Sequence, residues 1–80
     1  MLRALIIDDE KRAREVLAYG INRHCSENVK LIGEAGDLLS GVELIKKHNP
    51  DLVFLDIEMP NYLGTEINAF LKKLNLRSYL

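Results

Sequence analysis

The sequence predicts an α/β domain in which a parallel β-sheet is covered by helices, and three observations lead to that class. Short apolar runs alternate with longer segments whose apolar residues recur at helical spacing. The connections between these segments are only a few residues long. Such alternation with short connections is typical of parallel strands joined by helices that pack on the faces of the sheet.

The predicted strands are three short apolar runs, at residues 2–7, 29–36 and 52–56. The first and third, "LRALII" and "LVFLD", are almost continuously apolar, which is typical of strands that are buried on both faces. Gly36 and Asp37 close the second strand, because these residue types favour turns.

The predicted helices occupy residues 10–24, 39–47 and 65–76. The first has one apolar face, which consists of Ala13, Val16, Leu17 and Ile21. The second ends at Asn49 and Pro50, because a residue that precedes proline disfavours the helical conformation. The order of elements is therefore β-α-β-α-β-α.

Composition excludes several functional classes. Eighty residues form one domain, and a net charge of -1 gives no reason to expect binding to nucleic acid or to an acidic membrane surface. The single cysteine, Cys25, fits a reducing compartment. No apolar run approaches the roughly 18 residues of a membrane span. We therefore expect a cytoplasmic domain that binds neither nucleic acid nor membrane directly.

Two of the predicted strands lead into acidic residues, namely Asp8 and Asp9 after the first and Asp56 at the end of the third. Each acid alone would be explained as a cap for the next helix. In open α/β sheets, however, ligands bind beyond the carboxyl ends of the strands. If these strands are neighbours, three carboxylates converge and repel one another unless a cation such as Mg²⁺ joins them. Asp56 is then a metal ligand only, or a nucleophile that attacks a phosphoryl group.

Several motifs occur in an order and at a spacing that match a known family. They are "LIIDDE" (5–10), "GEAGD" (33–37), "NPDLVFLDIEMP" (49–60) and Gly64. By these motifs the chain resembles, over about residues 2–75, the receiver domains of two-component response regulators. Within that family it looks most like regulators whose output half is a LytTR-type DNA-binding domain.

The resemblance implies a flavodoxin-like sheet with strand order 2-1-3 and a role for each acid. Asp56 matches the aspartate that accepts phosphate, and Asp8 and Asp9 match the acidic pair that, with Asp56, holds Mg²⁺ or Mn²⁺. Glu58 matches the position whose backbone carbonyl binds the metal. The implied partners are a sensor histidine kinase and an output domain or target protein. Such a domain is a phosphoacceptor and not an enzyme, with at most slow autophosphorylation and autodephosphorylation.

The chain departs from the family pattern after its third β-α unit. The Ser or Thr and the Lys that complete the family's site would lie beyond residue 80, so we expect residues 1–80 to be a partial receiver without an output domain. In the order 2-1-3 the third strand lies at an edge with unpaired backbone groups. We therefore expect residues 52–56 to pair with another copy in a homodimer, with a swapped element, or with a missing part of the parent protein.

Two alternatives from other classes stay open. The chain could be a binding or oligomerisation module that acts through its helices and the open edge of the third strand, without phosphotransfer. It could also be a phosphatase or hydrolase with an aspartate nucleophile. That class usually has a second Asp two residues after the nucleophile, where this chain has Glu58.

Overall fold

The computed structural model describes residues 1–56 and the backbone of residues 77–79. Its elements, in chain order, are β1 (Leu2–Ile7), α1 (Lys11–His24), β2 (Val29–Ala35), α2 (Leu38–His48), β3 (Leu52–Leu55) and β4 (Arg77–Tyr79). The five elements predicted up to residue 56 are thus confirmed, with small shifts at their ends. The predicted third helix and Glu58 lie outside the described residues.

The four strands form one parallel sheet in the order β2-β1-β3-β4. The predicted order 2-1-3 is therefore confirmed. The chain moves outward from β1 to β2 and then returns across β1 to β3. Because each of these crossovers is right-handed in parallel sheets, α1 and α2 lie on opposite faces.

β3 is not an edge strand, and the expectation of an open edge along residues 52–56 is wrong. Residues 77–79 pair with it in parallel, with Phe54 opposite Tyr79. The same chain therefore supplies the neighbour that we expected from another copy, a swapped element or a missing part of the protein. Sequence patterns did not indicate β4, because a strand of three residues is too short to show a period.

β1 is the centre of the core, because it lies between two strands and contacts both helices. The main apolar cluster, on the face that α2 covers, consists of Leu5, Ile7, Ala35, Ile45, Val53 and Leu55. Ala4 and Ile6 alternate with these residues along β1 and are as deeply buried. Successive side chains of a strand point to opposite faces, so β1 is buried on both, as its apolar run predicts.

α1 packs less tightly than its sequence pattern suggests. Ile21 is buried, and Ala13 and Leu17 are half-buried. Val16, which we assigned to the same apolar face, is 66% exposed. The reason is angular, since Val16 lies about 100° around the helix from Leu17 and further from Ile21.

Both ends of α2 are well defined. Asp37 caps its start, because one carboxylate oxygen accepts the backbone N–H of Ser40 at 2.8 Å and the other accepts the Ser40 hydroxyl at 3.0 Å. These bonds, the backbone one foremost, hold the pKa of Asp37 below its ordinary value. At the other end Asn49 adopts the left-handed conformation with φ of 48°, and its N–H donates to the Ile45 carbonyl.

No helix in residues 1–56 is long and apolar enough to cross a membrane.

Gly41 allows α2 to lie close to the carboxyl end of β1. A Cβ atom at this position would be 2.6 Å from Cδ1 of Ile7 and 3.0 Å from its Cγ1. The helical Gly20, in contrast, has no such neighbour within 4 Å. Because Ile7 directly precedes Asp8, this contact also supports the end of the strand from which the acidic residues follow.

We expect Gly41→Ala to lower the free energy of unfolding by about 1–3 kcal/mol, because the added methyl group overpacks against Ile7. Denaturation with urea measures the change. Gly20→Ala is the matched control and should raise the free energy of unfolding by about 0.5–1 kcal/mol, since alanine favours a helix more than glycine does. Equal effects of the two substitutions would contradict the close approach of α2 to β1.

Candidate functional site

The carboxyl ends of β1 and β3 lie side by side at one edge of the sheet. Ile7 is paired with Leu55, and the N–H of Asp56 donates to the Ile7 carbonyl at 3.0 Å. On the other side of β1, the N–H of Asp8 donates to the Ala35 carbonyl at 3.0 Å. The backbone ladder thus continues up to the two aspartates, and the strand register determines where their side chains begin.

Three carboxylates converge at this edge. One oxygen from each of Asp8, Asp9 and Asp56 lies within 4.8 Å of the other two. Asp8 and Asp56 are half-buried, whereas Asp9 is exposed. The structure therefore brings together the three acidic side chains that the sequence singled out, and the fourth expected ligand, the Glu58 carbonyl, lies outside the described residues.

The spacing and chemistry of these oxygens suit a small, hard cation. In an octahedron with Mg–O distances of 2.0–2.1 Å, opposite oxygens are about 4.2 Å apart. The three oxygens lie within 4.8 Å of one another, so they can surround one such ion, with a water in place of a direct bond where an oxygen is further away. Since Mg²⁺ commonly keeps several waters and uses one or two carboxylates directly, the residues present fit Mg²⁺ or Mn²⁺.

Asp8 is held in place by three hydrogen bonds. Besides its N–H bond to Ala35, its carbonyl accepts Nη1 of Arg14 at 2.6 Å, and its Oδ1 accepts the N–H of Glu10 at 2.9 Å. Glu10 occupies the N-cap position of α1, and its side chain makes no capping bond. Neither Asp8 nor Asp9 is therefore the cap of α1, so the capping explanation of this pair is wrong.

Arg14 is the residue near the site that the sequence patterns missed. Its Nε lies 3.0 Å from Oε1 of Glu34, and its side chain is only 16% exposed. Arg14 is not among the residues of the apolar face that the helical pattern predicts for α1. Its partners are a backbone carbonyl and a strand residue 20 positions away, and no local pattern indicates such bonds. One feature of the sequence could have indicated the ion pair, which is the presence of an acidic residue, Glu34, in the second predicted strand.

A family model supports the assignment that these motifs indicated. The model for the response regulator receiver domain matches residues 4–79. The chain therefore belongs to the family of response regulator receiver domains, the phosphoacceptor modules of two-component signalling. A module of this kind is not a catalytic enzyme by itself.

Curated relatives are longer than this chain. The sensory transduction protein LytT of Bacillus anthracis is 42% identical over 74 residues, which cover 92% of this chain and 29% of LytT. An uncharacterized response regulatory protein of Vibrio cholerae is 44% identical over 71 residues, which cover 89% of this chain and 29% of that protein. The likeness to LytT supports a receiver of the LytTR-type regulators. The chain spans about three tenths of the length of these relatives.

Solved receiver structures share the fold. The signal receiver domain of the putative response regulator NarL from Mycobacterium tuberculosis superposes with a TM-score of 0.79 at 31% identity, over 96% of this chain and 60% of that one. The response regulator domain of Thermotoga maritima CheB gives a TM-score of 0.80 at 35% identity, over 98% and 57% of the two chains. These similarities confirm the flavodoxin-like receiver fold.

We expect Asp9→Asn to raise the free energy of unfolding by about 0.5–1 kcal/mol when divalent cations are removed, because it takes away one of three neighbouring like charges. Urea denaturation in a buffer with a chelator measures the gain, which should shrink at high salt. Glu10→Gln is the control. Glu10 is an adjacent acid outside the triad, and its negative charge at the start of α1 is favourable. Its removal should therefore not raise the free energy of unfolding. Equal gains from both substitutions would contradict repulsion within the triad.

Proposed function

We propose that the chain is the phosphate-accepting receiver of a response regulator, with Asp56 as the acceptor and with Mg²⁺ or Mn²⁺ held by Asp8, Asp9 and Asp56. The observation that carries this proposal is the convergence of the three carboxylates within 4.8 Å at the carboxyl edge of β1 and β3. Membership of the receiver family supports it. The backbone carbonyl of Glu58 is proposed as a further metal ligand.

In this proposal the side chain of Asp56 is the nucleophile. One carboxylate oxygen attacks the phosphorus atom of a phosphohistidine, so an O–P bond forms and the P–N bond breaks. The leaving imidazole nitrogen takes up a proton. Asp56 suits the role because its backbone is fixed at the end of a strand by the bond to the Ile7 carbonyl, and phosphoryl transfer depends mainly on in-line positioning and charge stabilisation.

Asp8 and Asp9 act only as ligands of the cation, whereas Asp56 is both a ligand and the phosphate acceptor. When bound, Mg²⁺ neutralises charge on the phosphoryl oxygens. Without a cation, three neighbouring carboxylates would repel an incoming phosphoryl group, which is itself anionic. The arrangement of acids around Asp56 is therefore useful for phosphate acceptance only when a cation is present, and phosphorylation is expected to depend on divalent metal.

The proposed partners are a sensor histidine kinase, which donates the phosphoryl group, and an output domain or target protein, which responds to it. LytT of Bacillus anthracis is a sensory transduction protein by name, which is consistent with such a pathway. A cytoplasmic location, the absence of direct nucleic-acid binding and the description of residues 1–80 as a partial receiver stay predictions.

The two alternatives have less support. An assembly module that uses the open edge of β3 loses that surface, because β4 occupies the edge. A phosphatase or hydrolase with an aspartate nucleophile is disfavoured by the match to the receiver family over residues 4–79.

We expect the chain to bind beryllofluoride, a mimic of the acyl phosphate, when millimolar Mg²⁺ is present, and Asp56→Asn to abolish that binding. Fluorine NMR detects the bound species. Asp51→Asn is the matched control, since it makes the same change at the other end of β3, where the asparagine oxygen can still accept the N–H of Arg3. Failure of the unsubstituted chain to bind beryllofluoride would overturn Asp56 as an acceptor in this chain, and so would undiminished binding by Asp56→Asn.

A further inference from the structure

We infer that Arg14 is a positioning residue for the metal site, and that it acts by holding the peptide unit between Asp8 and Asp9. The inference rests on the proposed metal site and goes beyond it, because Arg14 belongs to neither the acidic triad nor the strand ends. It requires no contact between Arg14 and the cation.

The guanidinium of Arg14 joins three elements of the fold. From α1, its Nη1 donates to the carbonyl at the end of β1, that of Asp8, at 2.6 Å. Its Nε donates to Oε1 of Glu34 in β2 at 3.0 Å. The side chain of Arg14 is 16% exposed and that of Glu34 is 47% exposed. A planar guanidinium with two such bonds has little freedom to move, so the Asp8 carbonyl is held from outside the strand ladder.

Gly36 also lies against the guanidinium of Arg14. A Cβ atom added there would lie 3.2 Å from Nη1 of Arg14 and 3.8 Å from its Cζ. The guanidinium therefore packs directly against the backbone that follows β2. The described glycines all have φ outside the left-handed region, so alanine at position 36 would disturb Arg14 and leave the backbone unstrained.

The bond to the Asp8 carbonyl affects both acidic residues because of peptide geometry. The carbonyl of Asp8 and the Cα atom of Asp9 belong to one planar peptide unit. Fixing the carbonyl oxygen therefore fixes the direction in which the chain reaches Asp9, the most exposed member of the triad. Groups that orient metal ligands in this indirect way commonly change metal affinity by about 10–100-fold when they are removed.

The direction in which metal affinity changes when Arg14 is removed distinguishes a positioning role from a purely electrostatic one. A positive charge near a cation site opposes binding, so removal of an arginine should strengthen binding if charge alone matters. Loss of positioning should weaken it. Arg12 provides the comparison, because it is an exposed arginine of the same helix and no hydrogen bond or ion pair of it is found within residues 1–56.

The test is a calorimetric titration with Mn²⁺ of the unsubstituted chain and of Arg14→Ala, Arg14→Lys and Arg12→Ala, each shown to be folded. We expect Arg14→Ala to weaken binding about 10-fold. Arg14→Lys should lose less, because an ammonium group can keep one of the two bonds. Arg12→Ala should bind as tightly as the unsubstituted chain or more tightly. In the metal-free protein, Arg14→Ala should also shift the amide NMR signal of Asp9, and Arg12→Ala should not.

Gly36→Ala is a second variant that tests the effect of Arg14 on Mn²⁺ binding, and it replaces Arg14→Ala if that variant does not fold. Because its methyl group requires the guanidinium to move by a few tenths of an ångström, it should weaken Mn²⁺ binding in the same direction as Arg14→Ala and to a smaller extent. If Arg14→Ala, or Gly36→Ala in its place, binds Mn²⁺ as tightly as the unsubstituted chain, the positioning role is overturned and the metal site stands. If the unsubstituted chain does not bind Mn²⁺, the proposed metal site itself fails, and the role of Arg14 with it.

Discussion

The pairing of β1 with β3 is the constraint on which the rest of the structure depends. Their parallel register sets Ile7 beside Leu55, so the residues that follow the two strands, Asp8 and Asp56, emerge at the same edge. A slip by one residue would exchange the faces of every side chain of β1, and because both faces are buried, close packing against each helix favours one register. Packing in the core thus determines the geometry of charges at the edge of the sheet, although no apolar residue takes part in the chemistry.

Repulsion among the three carboxylates lowers the stability of the folded domain. Three carboxylates within 4.8 Å repel one another, and backbone hydrogen bonds of Asp8 and Asp56 hold two of the three residues at this edge. Asp8 is bonded through its N–H, its carbonyl and one carboxylate oxygen. Arg14 contributes the carbonyl bond, while Glu34 offsets its charge. This arrangement keeps the site electronegative, which is the condition that a divalent cation requires.

Sequence reasoning succeeded where a local pattern carried the information. Apolar runs marked β1 and β3, and the acids that follow them led to the convergence of Asp8, Asp9 and Asp56. It failed where structure depends on distant partners or on very short elements. Three residues of β4 show no period, so β3 was wrongly placed at an edge. The bonds of Arg14 link residues that are 6 and 20 positions apart, and neither separation is a helical or strand repeat.

The proposed function requires that one cation binds at the carboxyl edge of β1 and β3. Paramagnetic broadening of backbone amide signals by substoichiometric Mn²⁺ tests it most directly, because the broadening decreases steeply with distance from the ion. We expect strong broadening at Asp8, Asp9 and Asp56, with sharp signals at the opposite edge, at Arg3 and Asn28. Broadening centred on that opposite edge, or spread evenly over the exposed acidic residues, would contradict it.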